Sequence, residues 1–183
     1  MKKLVIAAVL FCTIKAADAQ QFVAKNGKVH FFSKSPLEDI EATSSNTVCA
    51  LNTSTQKVYA KIPVKSFKFT DKLMEEHFNE NYLETEIFPN SVLDAVIVEK
   101  IDFTKDGVYD VTLKGTLDMH GVKKDREIKG KLTVQNGVPV SATADFIVKL
   151  ADHKIKIPKA VVANLAEEIK VDINFAFEKY EKK

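Results

Sequence analysis

Hydrophobic and polar residues alternate with a period of two along much of the chain, the pattern of strands with one dry face and one wet face. One apolar phase holds Leu93, Ala95, Ile97, Ile101 and Phe103, in a run that also carries Asp94, Glu99 and Asp102. After the turn Lys105-Asp106-Gly107, Tyr109, Val111, Leu113, Gly115 and Leu117 alternate with Asp110, Thr112, Lys114, Thr116 and Asp118. His120-Gly121 reads as a tight turn, and Ile128, Gly130, Leu132 and Val134 then alternate with Glu127, Lys129, Lys131 and Thr133. The strongest short hairpin signal, Gln135-Asn136-Gly137, leads into Val138, Val140, Ala142, Ala144, Phe146, Val148 and Leu150. A last strand holds Ile169, Val171, Ile173, Phe175 and Phe177, and earlier strands are expected near 29–33, 47–51 and 57–69.

Two segments break the alternation. Asp71 to Tyr82 follows an N-cap candidate, Thr70 or Asp71, and carries Leu73, Met74, Phe78 and Tyr82 on one side. Pro158 to Glu168 begins with a first-turn proline and carries Val161, Val162 and Leu165. Both read as helices lying across the ends of a sheet. About eight long strands in hairpin succession must close on themselves or pair with a second sheet. The pattern therefore predicts an all-β fold, first an antiparallel barrel and second a sandwich. A barrel in an outer membrane would need lipid-facing apolar residues, whereas here the polar phases are rich in lysine and glutamate.

The chain has 183 residues, and its first stretch stands apart from the rest. Met1-Lys2-Lys3, the apolar run from Leu4 to Ile14 and Ala17-Asp18-Ala19 have the three parts of a secretory signal peptide. The expectation is a leader over 1–19 and one barrel domain over 20–183, exported to the periplasm or secreted. No further run is long enough for a transmembrane helix. Removing the leader takes away three of 27 basic residues and one of 25 acidic ones, so the net charge falls from +2 to zero. A neutral domain with one arginine, Arg126, lacks the basic footprint of a nucleic-acid binder.

Cysteine usage fits the same picture. Cys12 lies in the leader, where the bulky Phe11 before it argues against lipidation. The mature chain keeps Cys49 alone, between Val48 and Ala50, which reads as a small buried hydrophobe with no internal disulfide to form.

Catalytic and metal-binding signatures are missing from the pattern. The glycines form no phosphate-cradling loop, there is no G-x-S-x-G, and His30, His77, His120 and His153 are scattered. No cofactor or metal is implied. His77, beside Glu75, Glu76 and Glu80, reads as a surface histidine on an acidic helix face. His120 reads as a structural residue or a ligand contact at the barrel rim. Asn52-Thr53-Ser54 matches a glycosylation sequon that arises readily by chance.

The barrel interior is what remains. Eight strands enclose a space that side chains can just fill, or that can hold one small ligand. Ala95, Gly115, Gly130, Ala142 and Ala144 fall on inward phases, either to fit around Phe103, Phe146 and Phe175 or to leave a tube for an apolar chain.

The segment Gly115-Thr116-Leu117-Asp118-Met119-His120-Gly121-Val122-Lys123-Lys124 resembles the G-x-L-T-x-H-G-V-T-K hairpin of the YceI-like family. His77-Phe78-Asn79-Glu80-Asn81-Tyr82 followed by Phe88-Pro89 is similar to that family's helix and Y-P entry. Ser35 to Ala42 and Ile155-Lys156-Ile157-Pro158 look like a short subgroup of it. The chain departs from the family at its opening W-x-x-D-x-x-H-S pattern, where Phe31-Phe32-Ser33-Lys34 stands. Asp118 and Lys123 replace the hairpin's threonines, and Leu150-Ala151-Asp152-His153 stands where an arginine-containing segment is usual. The resemblance implies a lipocalin-like barrel that holds an isoprenoid or other lipid in a periplasmic tunnel.

The leading expectation is thus a non-enzymatic carrier of an isoprenoid or similar lipid. Ile97, Val111, Leu113, Leu132, Phe146, Val148, Val171, Ile173 and Phe175 would line its tunnel, and His120 would sit at the hairpin rim. An exposed tunnel mouth would favour a homodimer. Two alternatives stay open: a filled barrel that binds a protein partner, and an enzyme using Cys49 or His120 beside a polar partner.

Overall fold

The computed structural model describes residues 20–34, 39–156 and 166–181. The leader over 1–19, the family-like run 35–38 and most of the expected helix 158–168 lie outside the described residues. Glu168, placed at that helix's end, already opens a strand.

Eight antiparallel strands follow one another around a closed sheet. They are β1 (Gln21–Ser33), β2 (Ile40–Asn52), β3 (Lys57–Pro63), β4 (Asn90–Ile97), β5 (Gly107–Met119), β6 (Val122–Gln135), β7 (Val138–Lys149) and β8 (Glu168–Ala176). Closure falls on β1, which is hydrogen-bonded to β2 along one edge and to β8 along the other; Val29 faces both Ser44 and Ile173. A ninth strand, β9 (Glu178–Lys179), adds to β1 beyond the end of β8. Of the two architectures the pattern allowed, the barrel is the one formed.

Two hairpins take the turn their sequences predict. His120 and Gly121 have φ of 53° and 69°, and Asn136 and Gly137 have φ of 53° and 74°. Left-handed backbone at both central residues matches the twist of the flanking strands. The small inward residues do not leave a tube. A Cβ on Gly115 would land on the Asp94 carbonyl and on Ala95, its β4 partner, and one on Gly130 would meet the Thr143 carbonyl and Ala144 of β7. Neighbouring strands press together at these positions, so the glycines serve close packing.

Three expected strands have different bounds. The run 57–69 ends as a strand at Pro63, and Val64–Ser66 turns as a short 3-10 helix. The run through Phe103 ends at Ile97, because the side chain of Gln56 replaces a strand partner. Gln56 Nε2 donates to the carbonyls of Ile97 (3.0 Å) and Glu99 (2.6 Å), and its Oε1 accepts from the Ile101 N–H (2.8 Å). The run through Leu150 ends at Lys149, and Leu150–His153 forms a 3-10 turn. β1 and β2 in turn run well beyond the expected 29–33 and 47–51.

That 3-10 turn delivers His153, fully buried, under the β5–β6 hairpin. Its Nδ1 donates to the Val122 carbonyl (3.0 Å), which leaves Nε2 as the lone-pair nitrogen. Nε2 is buried without a hydrogen-bond partner among the described residues. Burial holds the ring below the ordinary histidine pKa, against the Val122 bond and with the nearby charge of Arg126.

Two predictions follow from this packing. Gly115→Ala should lower stability by about 2–3 kcal/mol, read by urea denaturation, because the new methyl would meet the Asp94 carbonyl and Ala95 Cα, backbone atoms that cannot step aside. His153 stabilises the fold fully above the unfolded histidine value near ~6.5, and its contribution is lost as pH falls through the lower folded value. The stability gap between the parent chain and His153→Asn should therefore be smaller at pH ~5.5 than at pH ~7.5 in the same assay.

Candidate ligand cavity

The interior divides into two halves. Toward the end that carries the β2–β3, β4–β5 and β6–β7 turns, Ala24, Cys49, Leu51, Val58, Ile97, Ile101, Val111, Leu132 and Phe175 pack into one cluster. The Phe175 ring lies against Gly27 where a Cβ would stand, at a register shift in β1. At the opposite end lies a cavity of about 130 Å³. Its wall combines the ends of strands (Val29, Phe31, Ile40, Ile62, Ser91, Leu117, Met119) with residues from the connections (Phe67, Phe69, Met74, Phe78, Tyr82, Leu83, Leu150, Ile155).

The β3–β4 connection supplies the helical part of that wall. Helix α1 (Lys72–His77) starts at Asp71, whose carboxylate accepts from the N–H groups of Leu73 (2.7 Å) and Met74 (3.1 Å). The expected single helix through Tyr82 instead changes pitch, and Phe78–Tyr82 forms a π turn closed by Leu83 N–H to the Phe78 carbonyl (2.9 Å). Asn79 accounts for the change. Its side-chain amide donates to the Glu75 carbonyl (2.7 Å), the acceptor that its own backbone N–H would use in an α-helix. The extra residue keeps Met74, Phe78, Tyr82 and Leu83 all on the cavity wall.

Aromatic contacts fix this wall against the strands. Phe31 of β1 stacks on Phe78 at 5.6 Å and meets Phe67 and Phe69 edge-on at 5.3 and 5.7 Å. Phe69 and Phe78 lie 5.0 Å apart. Such pairs add about 0.5–1.5 kcal/mol each beyond burial. Glu75 ties α1 to the same segment: its carboxylate accepts from Lys68 Nζ (2.8 Å) and from the Phe69 N–H (3.2 Å), which together lower its pKa.

The residues singled out in the sequence take definite places. Phe146, Val148 and Val171 stand on the cavity wall. Ile97, Val111, Leu113, Leu132, Ile173 and Phe175 belong to, or pack against, the filled cluster. His120 lies at the hairpin rim: Nε2 faces Glu84 Oε2 (2.7 Å), Nδ1 faces the His153 carbonyl (3.2 Å), and Phe88 packs on the ring at 4.5 Å. Both ring nitrogens thus face oxygen acceptors. These contacts bind the β3–β4 connection to the β5–β6 hairpin, and His120 is not on the cavity wall.

Other candidates are occupied by structure. Cys49 is buried and burial pushes its thiol up to about 12, the state of an inert thiol. His30 sits on the outer face of β1 between Glu41 (3.3 Å) and Asp172 (3.5 Å). Asn52 Oδ1 accepts from the N–H groups of Ser54 (3.0 Å) and Thr55 (2.9 Å), shaping the β2–β3 turn. Among the described residues no group of three His, Cys, Asp or Glu side chains is placed to hold a metal ion, and no helix is long and apolar enough to cross a membrane.

The barrel is similar to several solved structures. A polyisoprenoid-binding domain from Saccharophagus degradans, implicated in plant cell wall breakdown, matches with a TM-score of 0.68 at 14% identity, over 88% of this chain and 99% of that one. BcnA of Burkholderia cenocepacia matches with a TM-score of 0.63 at 17% identity, over 83% of this chain and 96% of that one. The YCEI protein of Campylobacter jejuni matches with a TM-score of 0.55 at 11% identity over the whole of both chains. At such identities the likeness is one of fold. No curated protein matches the chain. The family assignment comes from the sequence itself: the model of the YceI-like domain matches residues 17–177, and the chain belongs to the YceI-like family.

Proposed function

We propose that the protein is an exported, non-enzymatic binding protein that carries an apolar chain of isoprenoid type in the barrel cavity. One observation carries this reading: aliphatic and aromatic side chains make up nearly the whole cavity wall, with no cation, carboxylate or imidazole among its described residues. Burying hydrocarbon there gains about 0.8 kcal/mol per CH₂, or roughly 4 kcal/mol per five-carbon unit before ordering costs. A dry apolar cavity of ~150 Å³ holds one benzene. At about 130 Å³ the present cavity grips a unit of about that size, and the rest of a longer chain would lie toward the opening.

Two further facts support the ligand class and the compartment. The Saccharophagus degradans structure is described as a polyisoprenoid-binding domain. The leader-like pattern from Met1 to Ala19 supports export. The filled half of the barrel is what a pure protein-interaction module would need throughout, and the void beside it favours a ligand. Neither Cys49 nor His120 supplies a nucleophile or base to that void.

Organic extraction of the exported protein followed by mass spectrometry should recover an apolar lipid, and native mass spectrometry should show its mass on the chain and count subunits. Val171→Phe, which adds a ring to the cavity wall, should weaken binding of a short isoprenoid more than tenfold and leave the melting temperature within a few degrees. Equal binding by this variant, or a chain that never carries lipid, would remove the carrier reading.

A further inference from the structure

On the cavity wall, Ser91 breaks the chemistry of its neighbours. In β4 the inward positions alternate as Ser91, Leu93, Ala95 and Ile97, so the Ser91 side chain points to the interior. It is 6% exposed and lines the cavity, yet its hydroxyl has no hydrogen-bond partner among the described residues. An alanine at this position would fill the same wall and lack only the hydroxyl. Tyr82, half-buried, also lines this wall, and its hydroxyl has no partner among the described residues. Desolvation raises its pKa, so the phenol is a neutral donor at any ordinary pH.

We infer that the cavity takes the oxygen-bearing end of its ligand, and that Ser91 selects a neutral oxygen (an alcohol, carbonyl or ether) over a charged head group. This rests on the carrier reading above and deepens it. A hydroxyl can donate to or accept from any of those oxygens. A phosphate or carboxylate entering the same wall would lose its water and find no cation to replace it. Of the lysines that flank wall residues, Lys65 pairs with Glu86, Lys68 with Glu75, Lys149 with Glu168 and Lys170 with Asp172. Ser91 is therefore a specificity-determining contact, and the apolar wall around it supplies most of the affinity.

Three ligands of one carbon skeleton test this by calorimetric titration of the full exported chain: geraniol, its hydrocarbon counterpart 2,6-dimethyl-2,6-octadiene, and geranyl diphosphate. Geraniol should bind about tenfold more tightly than the hydrocarbon, the effect of one buried hydrogen bond. In Ser91→Ala that ratio should fall to near one, with hydrocarbon affinity unchanged. Ser91→Thr, which keeps the hydroxyl, should keep the preference. A ratio that survives in Ser91→Ala, or a diphosphate that binds more tightly than the alcohol, overturns the inference and leaves the carrier reading intact. Failure of both geraniol and the hydrocarbon to bind overturns the two together.

Discussion

β1 is the strand on which everything else closes. Its two edges are satisfied by β2 and β8, so the sheet has no free hydrogen-bonding edge along most of its circumference and the inward side chains have nowhere else to go. Closure with eight strands fixes a narrow interior, just wide enough to be filled by side chains or to hold one small ligand. The register shifts between Ala24, Gly27 and Val29 let β1 bend to meet both partners. They also bring its backbone under the Phe175 ring, which fills the interior at that level.

Why one half is filled and the other hollow follows from the connections. The β6–β7 link is a two-residue turn, and Gln56 draws the β4–β5 loop inward by three hydrogen bonds, so Ile101 and Phe103 reach the core. The opposite end carries the long β3–β4 insert. Its π turn holds Phe78 and Tyr82 at the wall and does not thrust them down the axis. Anchors on both sides keep it there: Asn79 and Glu75 within and beneath the insert, and His120 with Phe88 at its far end. The void is the space between that held insert and the last inward layer of the strands.

This division also explains what could be read in advance. Period-two alternation located the strands and their inward faces because a half-buried strand repeats every second residue. Cys49 was legible as a buried small hydrophobe from its apolar neighbours, and both tight turns from Asn-Gly and His-Gly, which can adopt left-handed backbone. Bounds were missed where a side chain took over a backbone role, as Gln56 does beyond Ile97. The cavity was harder to locate. Strand periodicity ranks inward residues alike, so Ile97, Leu132 and Phe175 of the filled half and Phe146, Val148 and Val171 of the hollow half looked equivalent. Much of the real wall comes from Phe67, Phe69, Met74, Phe78 and Leu83, whose spacing follows no single period because the chain passes there from strand to 3-10, α and π geometry. The density of phenylalanine over 67–78 was the available signal. Ser91 was also within reach, by counting the β4 phase two residues back from Leu93.

A void of this kind has a thermodynamic consequence. At about 24 cal/mol per Å³, an apolar void of about 130 Å³ would cost about 3 kcal/mol if sealed, which is an upper bound for a cavity with an opening. Domain stabilities are only about 5–15 kcal/mol, so that is a large fraction to forgo. Larger side chains at Val148 or Ile169 would recover part of it by ordinary substitution, and an alanine at residue 91 would remove the unpaired hydroxyl as well. The empty volume and the unpartnered Ser91 hydroxyl thus share one wall. The proposed ligand, an apolar chain with one neutral oxygen, would restore the missing contacts with its carbons and give the Ser91 hydroxyl a partner.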